Sequence, residues 1–397
     1  MRAITDVNVK GKRILLRVDL NLPIEDGKIV PGPRIEVHAR TARMLSDKGA
    51  MVVILAHQGR KGKPDFTSLE QHAKLLHHLT KKDVAFVDDV AGPLAKEAIK
   101  AMKEGDILVL DNVRKLDDEE KPSDGKIVKE LSPLADYFVL DALSVAHRNQ
   151  ASVTGFSKTL PSFAGPHLAQ DIEALEKLRH SKDIIFVLGG SKVEDSFAIM
   201  KKWLREGKAR KVLVCGALAT LLLHAQGHKV GESMEFLNLS SLEEHCAEAK
   251  KMLEEFDDRI ALPVDVGLSV GMERHDLAVG DIHKGQIWDI GPKTVERYRE
   301  DIFNSHTVVM NGPAGVYEME AFSKGTRGML EAIAQCDAFS LLGGGHTVTA
   351  VEKFGIEKHH FSHISLAGKA LIAFLSGHEL PGIKALEENE KLFRHKR

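Results

Sequence analysis

Ile184-Ile185-Phe186-Val187-Leu188-Gly189-Gly190-Ser191-Lys192-Val193-Glu194-Asp195 is an unbroken apolar run, two glycines, and then a polar stretch that opens a helical pattern. A strand that alternates apolar and polar residues keeps one face in water. A strand apolar at every position is buried on both faces, as in a parallel sheet covered by helices. The same layout recurs along the chain. Arg13–Val18, Met51–Ala56, Ile107–Asp111 and Tyr137–Asp141 form a first set of expected strands; Ile184–Leu188, Lys211–Cys215, Arg259–Val264, Thr307–Met310 and Ala338–Leu342 form a second. Most end in glycine or polar residues and lead into a helix, so the class is α/β.

A chain of 397 residues is long for one domain, and two sheets fit it better than one. Between the two sets lies Ser162-Phe163-Ala164-Gly165-Pro166, followed by a charged amphipathic stretch, His167 to Arg179. Leu168, Ile172, Leu175 and Leu178 share one helical face there. The expected division is residues 1–163, a connecting helix at 164–180, and a second domain at 181–369. Lys+Arg total 55 against 57 Asp+Glu, a balance that argues against a nucleic-acid partner. Cys215, Cys246 and Cys336 are odd in number and form no Cys-x-x-Cys pair, which suits a reducing compartment. The start lacks the apolar core of a signal peptide. The longest apolar run, Val212 to Leu223, is broken by Gly216 and Thr220 and falls short of the ~20 residues of a membrane span. The expectation is a soluble cytoplasmic protein, with a monomer favoured.

Ligands of open α/β sheets sit beyond the carboxyl ends of the strands. In the first half those ends carry Asp19 and Asn21, then His57 and Arg60, then Arg114, then His147 and Arg148; Arg34 follows the loop Pro31-Gly32-Pro33. Guanidinium holds phosphate or carboxylate through parallel hydrogen bonds. Any one of these arginines is more simply a surface ion-pair partner. Several at neighbouring strand ends describe a site for a small, doubly anionic molecule. No carboxylate is spaced to activate a histidine nucleophile, so His57 reads as a phosphate contact.

In the second half the strand ends carry glycines instead: Gly189-Gly190, Gly216, Gly312 and Gly315, and Gly343-Gly344-Gly345. Such loops let backbone N–H groups reach a phosphate, helped by the positive end of the following helix. Four in one half favour a nucleotide crevice. The chain has no Gly-x-x-x-x-Gly-Lys-[Ser/Thr] and no Gly-x-Gly-x-x-Gly at the first turn of either half. The first absence excludes a P-loop NTPase, and the second weakens a nicotinamide-dependent dehydrogenase reading.

Gly11–Pro23, Ala56-His57-Gln58-Gly59-Arg60, Ala146-His147-Arg148 and Asn311-Gly312-Pro313-Ala314-Gly315-Val316-Tyr317-Glu318 resemble, in order, the motifs of phosphoglycerate kinases. The resemblance runs from about residue 11 to 386. It implies two doubly wound parallel-sheet (Rossmann-like) domains joined by a helix and hinge, with residues 370–397 returning to the first domain. It implies phosphoryl transfer from 1,3-bisphosphoglycerate to ADP, giving 3-phosphoglycerate and ATP, with Mg²⁺ on the nucleotide. Asp19, Asn21, Arg34, His57, Arg60, Arg114 and Arg148 would hold 3-phosphoglycerate. Gly189, Gly190, Lys192, Gly216, Asn311, Pro313, Val316, Glu318, Gly343, Gly344, Gly345, His346 and Thr347 would hold the nucleotide, with Glu318 on the ribose. Arg34 and Lys192 would stabilise transition-state charge.

Three departures from the usual pattern point to an archaeal-type variant. His346 stands where Asp usually follows the triple glycine, so the metal ligand is left unassigned. Ser196 replaces a second lysine. Lys369 interrupts a glycine-rich stretch, Ser365–Ala370, and is either a replacement catalytic charge or a solvated lysine. A module that keeps the fold but lacks activity is the remaining alternative.

Overall fold

The computed structural model describes residues 1–122, 125–237 and 242–393. The chain divides into two compact units, Met1–Glu173 with Glu379–Arg397, and Ala174–His378. The boundary falls inside the helix Pro166–His180, which the apolar stripe of Leu168, Leu175 and Leu178 buries. The chain leaves the second unit after His378, later than the sequence division expected. The reason is the helix Lys369–Leu375, which packs on Val193–Arg205 of the second unit. There Trp203 Nε1 donates to the Leu375 carbonyl at 2.7 Å.

The first unit is built on a six-stranded parallel sheet. Its spatial order is Val84–Val87, Ile107–Leu110, Met51–Leu55, Arg13–Arg17, Tyr137–Leu140, Ser162–Ala164. Met51–Leu55 is buried at every residue, as its unbroken apolar run requires. The helices Pro33–Asp47 and Glu70–Thr80 cover one face through Ile35, Ala39, Ala42, Leu45, Ala73 and Leu76. The C-terminal helix Pro381–Leu392 also belongs to this unit. Asn389 fastens it, accepting from Ser162 N at 2.8 Å and donating to the Leu160 carbonyl at 2.8 Å. Residues 394–397 lie outside the described part.

The second unit carries a parallel sheet in the order Ile260–Ala261, Ala209–Val214, Ile184–Leu188, Thr307–Asn311, Phe339–Gly343, His363–Ile364. In chain order this is 3-2-1-4-5-6, the doubly wound arrangement. Its switch point lies between Ile184–Leu188 and Thr307–Asn311. Arg259–Val264 was expected as one strand and shortens to Ile260–Ala261, because Pro263 has no N–H for the ladder. A three-stranded antiparallel sheet follows, absent from the sequence reading: Glu273–Ala278, Asp265–Val270, Gln286–Ile290. Gly271 and Met272 make its first turn, with φ of 56° and 71°. Both residues of such a turn need positive φ, and Met is a poor sequence signal for that.

Candidate functional site

Every substrate-cradle residue expected in the first unit lies at the carboxyl edge of its sheet or in the first turn of Pro33–Asp47. Hydrogen bonds tie the loops to one another. Asn21 Oδ1 accepts from Gly59 N at 2.7 Å, and the Asn21 carbonyl accepts from Arg34 Nη1 at 2.7 Å. Gln58 pairs with the backbone of Leu22 at 2.8 and 2.9 Å. Asn112 Nδ2 donates to the Gln58 and Thr67 carbonyls, and Arg114 Nη1 donates to the Gly59 carbonyl. The loops after Arg13–Arg17, Met51–Leu55 and Ile107–Leu110 therefore form one surface.

Asp19 sits within it, 4% exposed. Its Oδ2 lies 3.5 Å from Arg34 Nε and accepts from Ser144 Oγ at 2.5 Å, while Oδ1 accepts from Asn21 N at 3.0 Å. Burial opposes its charge; Arg34, the Ser144 hydroxyl and the Asn21 N–H outweigh burial and take the carboxyl down to about 2. Asp19 is thus committed to orienting Arg34 and the loop. Burial, reinforced by Arg17 and opposed by Asp19, takes His57 down to about 3, so its imidazole is neutral at pH 7. Arg148 feels both Asp19 and Arg60, and its buried Nε has no hydrogen-bond partner among the described residues. Arg60 reaches solvent.

Arg17 belongs to the same group and was missed, because it was counted as part of a strand. It is 1% exposed at the end of Arg13–Arg17. The available signal was a cation inside a strand buried on both faces, which demands a partner. That partner is Glu119, reached through Ser152.

The second-unit loops give a different account of the glycines. Gly189 N donates to the Asn311 carbonyl at 3.1 Å, Gly190 N to Pro313 at 2.7 Å, and Gly216 N to Ala314 at 3.1 Å. These N–H groups, expected to face phosphate, are used between loops. The glycines are needed because backbones touch: a Cβ on Gly189 would lie 2.2 Å from the Pro313 oxygen, and one on Gly312 2.4 Å from the Gly189 oxygen. The N–H groups left for an anion are those in the first turns of Val193–Arg205 and Gly345–Lys353.

A pocket of about 310 Å³ opens at this switch point. Gly190, Gly216, Pro313 and Val316 line it, with Glu318 and His346 also on its wall. Gly189, Lys192, Asn311, Gly343, Gly344, Gly345 and Thr347 do not line it. Thr347 Oγ1 instead accepts from Gly312 N at 3.0 Å. Asn311 Oδ1 is buried with no partner among the described residues, beside Gly343 and Gly344. The wall contributed by the antiparallel sheet, including Val266, Gln286 and Trp288, was not foreseen. His346 Nδ1 lies 3.3 Å from the Tyr317 hydroxyl and 3.6 Å from Glu318 Oε1.

Lys192 and Lys369 are exposed, and neither ammonium has a partner among the described residues. Each sits at the start of a helix, Lys192 as the residue before Val193–Arg205 and Lys369 as the first of Lys369–Leu375. Both helices leave the carboxyl edge of the same parallel sheet, and they pack on each other. Leu371 lies over Gly343, where a Cβ would come within 2.1 Å of its Cδ2. The helix that begins with Lys369 therefore packs on the triple-glycine loop through Leu371. Ser196 is buried and donates to the Gly189 carbonyl at 3.1 Å.

The family model described as "Phosphoglycerate kinase" matches residues 4–378. A phosphoglycerate kinase of Methanothermus fervidus is 40% identical, with 97% of each chain covered. That of Pyrococcus horikoshii is 38% identical, with 99% of each covered. The crystal structure of the Pyrococcus horikoshii phosphoglycerate kinase superposes with a TM-score of 0.91, covering 98% of this chain and 100% of that one. The Coxiella burnetii phosphoglycerate kinase structure gives 0.84 at 32% identity, covering 97% and 98%.

Proposed function

The chain belongs to the phosphoglycerate kinase family, and from that premise we infer how its two units divide the reaction. It is a phosphotransferase with a carboxyl group as acceptor: it moves a phosphoryl group between 1,3-bisphosphoglycerate and ADP, giving 3-phosphoglycerate and ATP, in glycolysis. The first unit binds 3-phosphoglycerate. His57, Arg60, Arg114 and Arg148 take the phosphate, Asn21 and the Asp19 loop meet the glycerate end, and Arg34 reaches the reacting carboxyl oxygen. The second unit binds ADP or ATP, base in the pocket, ribose at Glu318, and phosphates over the first turns of Val193–Arg205 and Gly345–Lys353.

The observation that carries this division is the first-unit cradle. There Asp19 is the carboxylate shared by Arg34, His57 and Arg148, which leaves an excess of donors for an added dianion. Mg²⁺, which the family uses with its nucleotide, enters as part of the substrate. Position 346 offers nitrogen, a poor donor for Mg²⁺, so no residue of this chain is assigned as a direct ligand.

Transfer is direct and in line, which requires reacting atoms about 3–3.5 Å apart. Substrates held on separate units meet only through closure, with the two chain crossings as the bending elements, one inside Pro166–His180 and one at His378–Glu379 instead of the expected segment 363–370, which belongs to the second unit. Closure also keeps water from the acyl phosphate. Arg34, Lys192 and Lys369 stabilise the charge of the transferring group. Free cysteines and glycolytic substrates support a cytoplasmic location.

Arg34→Ala tests the division. A coupled assay with ATP and 3-phosphoglycerate is expected to lose at least about a hundredfold in kcat, as for loss of one transition-state donor. ADP affinity by calorimetry stays at the wild-type value. Loss of ADP binding as well contradicts the division.

A further inference from the structure

Arg17 is held on several sides. Its Nε donates to Ser152 Oγ at 2.9 Å, its Nη1 to the Val18 carbonyl, and its Nη2 meets His57 Nδ1 at 3.2 Å. Guanidinium has donors only, so Nδ1 must be the accepting nitrogen. The ring proton then resides on Nε2, which has no protein partner among the described residues. Behind Arg17, Ser152 Oγ donates its single proton to Glu119 Oε1 at 2.5 Å, and Ser152 N donates to Glu119 Oε2 at 3.2 Å. Above about pH 7, where Glu119 is ionised, its carboxylate accepts only and so fixes the direction of the Ser152 hydroxyl. That leaves the hydroxyl's lone pairs facing Arg17 Nε. Glu119 and Ser152 are 3% and 0% exposed, so water does not substitute for either.

We propose that Glu119, acting through Ser152 and Arg17, is a positioning residue that holds His57 as the neutral Nε2–H tautomer, a hydrogen-bond donor for the substrate phosphate. This rests on the assignment of 3-phosphoglycerate to the first unit. The order of donors is what matters. His57 with its proton on Nδ1 would face Arg17 donor to donor, and Nε2 would then present a lone pair to an anion. The closeness of the groups is also seen in their titration. Burial pushes Glu119 up to about 7 while Arg17 pulls it back, and burial takes Arg17 down to about 10 while Glu119 opposes.

The test is ¹⁵N spectroscopy of the full chain labelled at histidine, without substrate, with His57 assigned by comparison with His57→Gln. The wild type is expected to show a neutral His57 ring, Nδ1 unprotonated and Nε2 protonated. A doubly protonated ring or an Nδ1–H ring overturns the proposal. Glu119→Gln is then expected to mix the tautomers and to raise KM for 3-phosphoglycerate about tenfold, the scale of one hydrogen bond to a charged group. KM for ATP is expected to stay unchanged. Wild-type tautomer and KM in Glu119→Gln also overturn it, because a purely structural ion pair would leave both alone. If that variant does not fold, Ser152→Ala is read the same way. Adding 3-phosphoglycerate to the wild type separates the premise from the proposal: if no first-unit resonance responds, the substrate assignment fails whatever the tautomer.

Discussion

Around the nucleotide loops, Ser196, His346 and Lys369 are the three residues that the sequence reading singled out as departures from the usual pattern. Ser196 occupies a buried position and spends its hydroxyl on the Gly189 carbonyl, where a lysine ammonium would have had to reach solvent. Lys369 carries a cation at the start of the helix Lys369–Leu375, whose Leu371 lies over Gly343. A charge that acts only on the transferring phosphoryl group lowers kcat when removed and leaves substrate binding nearly intact. Lys369→Ala is therefore expected to reduce kcat roughly tenfold to a hundredfold, with KM for ATP within about twofold, in steady-state assays. An unchanged kcat would make Lys369 a solvated surface lysine. The substitution at 346 is legible in the sequence as a change of donor atom from oxygen to nitrogen. Its partners, Tyr317 and Glu318, emerge only from the fold.

At the scale of elements, the parallel sheets were legible because Met51–Leu55 and Ile184–Leu188 are apolar at every residue, and only two-sided burial explains that. Val84–Val87 escaped notice as a partly exposed edge strand. The antiparallel sheet was hidden by its Gly271-Met272 turn and by Glu273–Ala278, which is mostly polar and exposed. Gly189, Gly190 and Gly216 spend their N–H groups on loop-to-loop contact, while the first turns of Val193–Arg205 and Gly345–Lys353 leave N–H groups that no intrahelical bond uses. Asp141, next after Tyr137–Leu140, does for Pro166–His180 what no glycine can. Its Oδ1 accepts from His167 N at 2.8 Å and Leu168 N at 3.2 Å. Asp265 does the same for Pro292–Phe303 through Lys293 N and Thr294 N. Removing such a cap costs about 1–2 kcal/mol. Asp141→Ala is expected to lower the unfolding free energy of the first unit by that amount, read as a lower denaturation midpoint at unchanged m, and an unmoved midpoint would mean that the Oδ1 contacts do not hold the helix start.

Across the whole molecule, the proposed division keeps two anionic substrates on two separately folded units until both are bound. Each unit has its own parallel sheet and its own apolar core, and each presents its site at the carboxyl edge. The sequence conveyed this division through arginines in one half and glycines in the other. It did not convey where the chain crosses between units, because Lys369–Leu375 has the apolar pattern of any packed helix and only its Trp203 contact assigns it. The most direct measurement is amide hydrogen exchange with each ligand added alone. 3-Phosphoglycerate should slow exchange in residues 17–22, 57–60, 113–115 and 144–148, and ADP with Mg²⁺ should slow it in residues 190–196, 312–318 and 343–348. Protection of the triple-glycine loop by 3-phosphoglycerate alone, or of the arginine loops by ADP alone, would contradict the account.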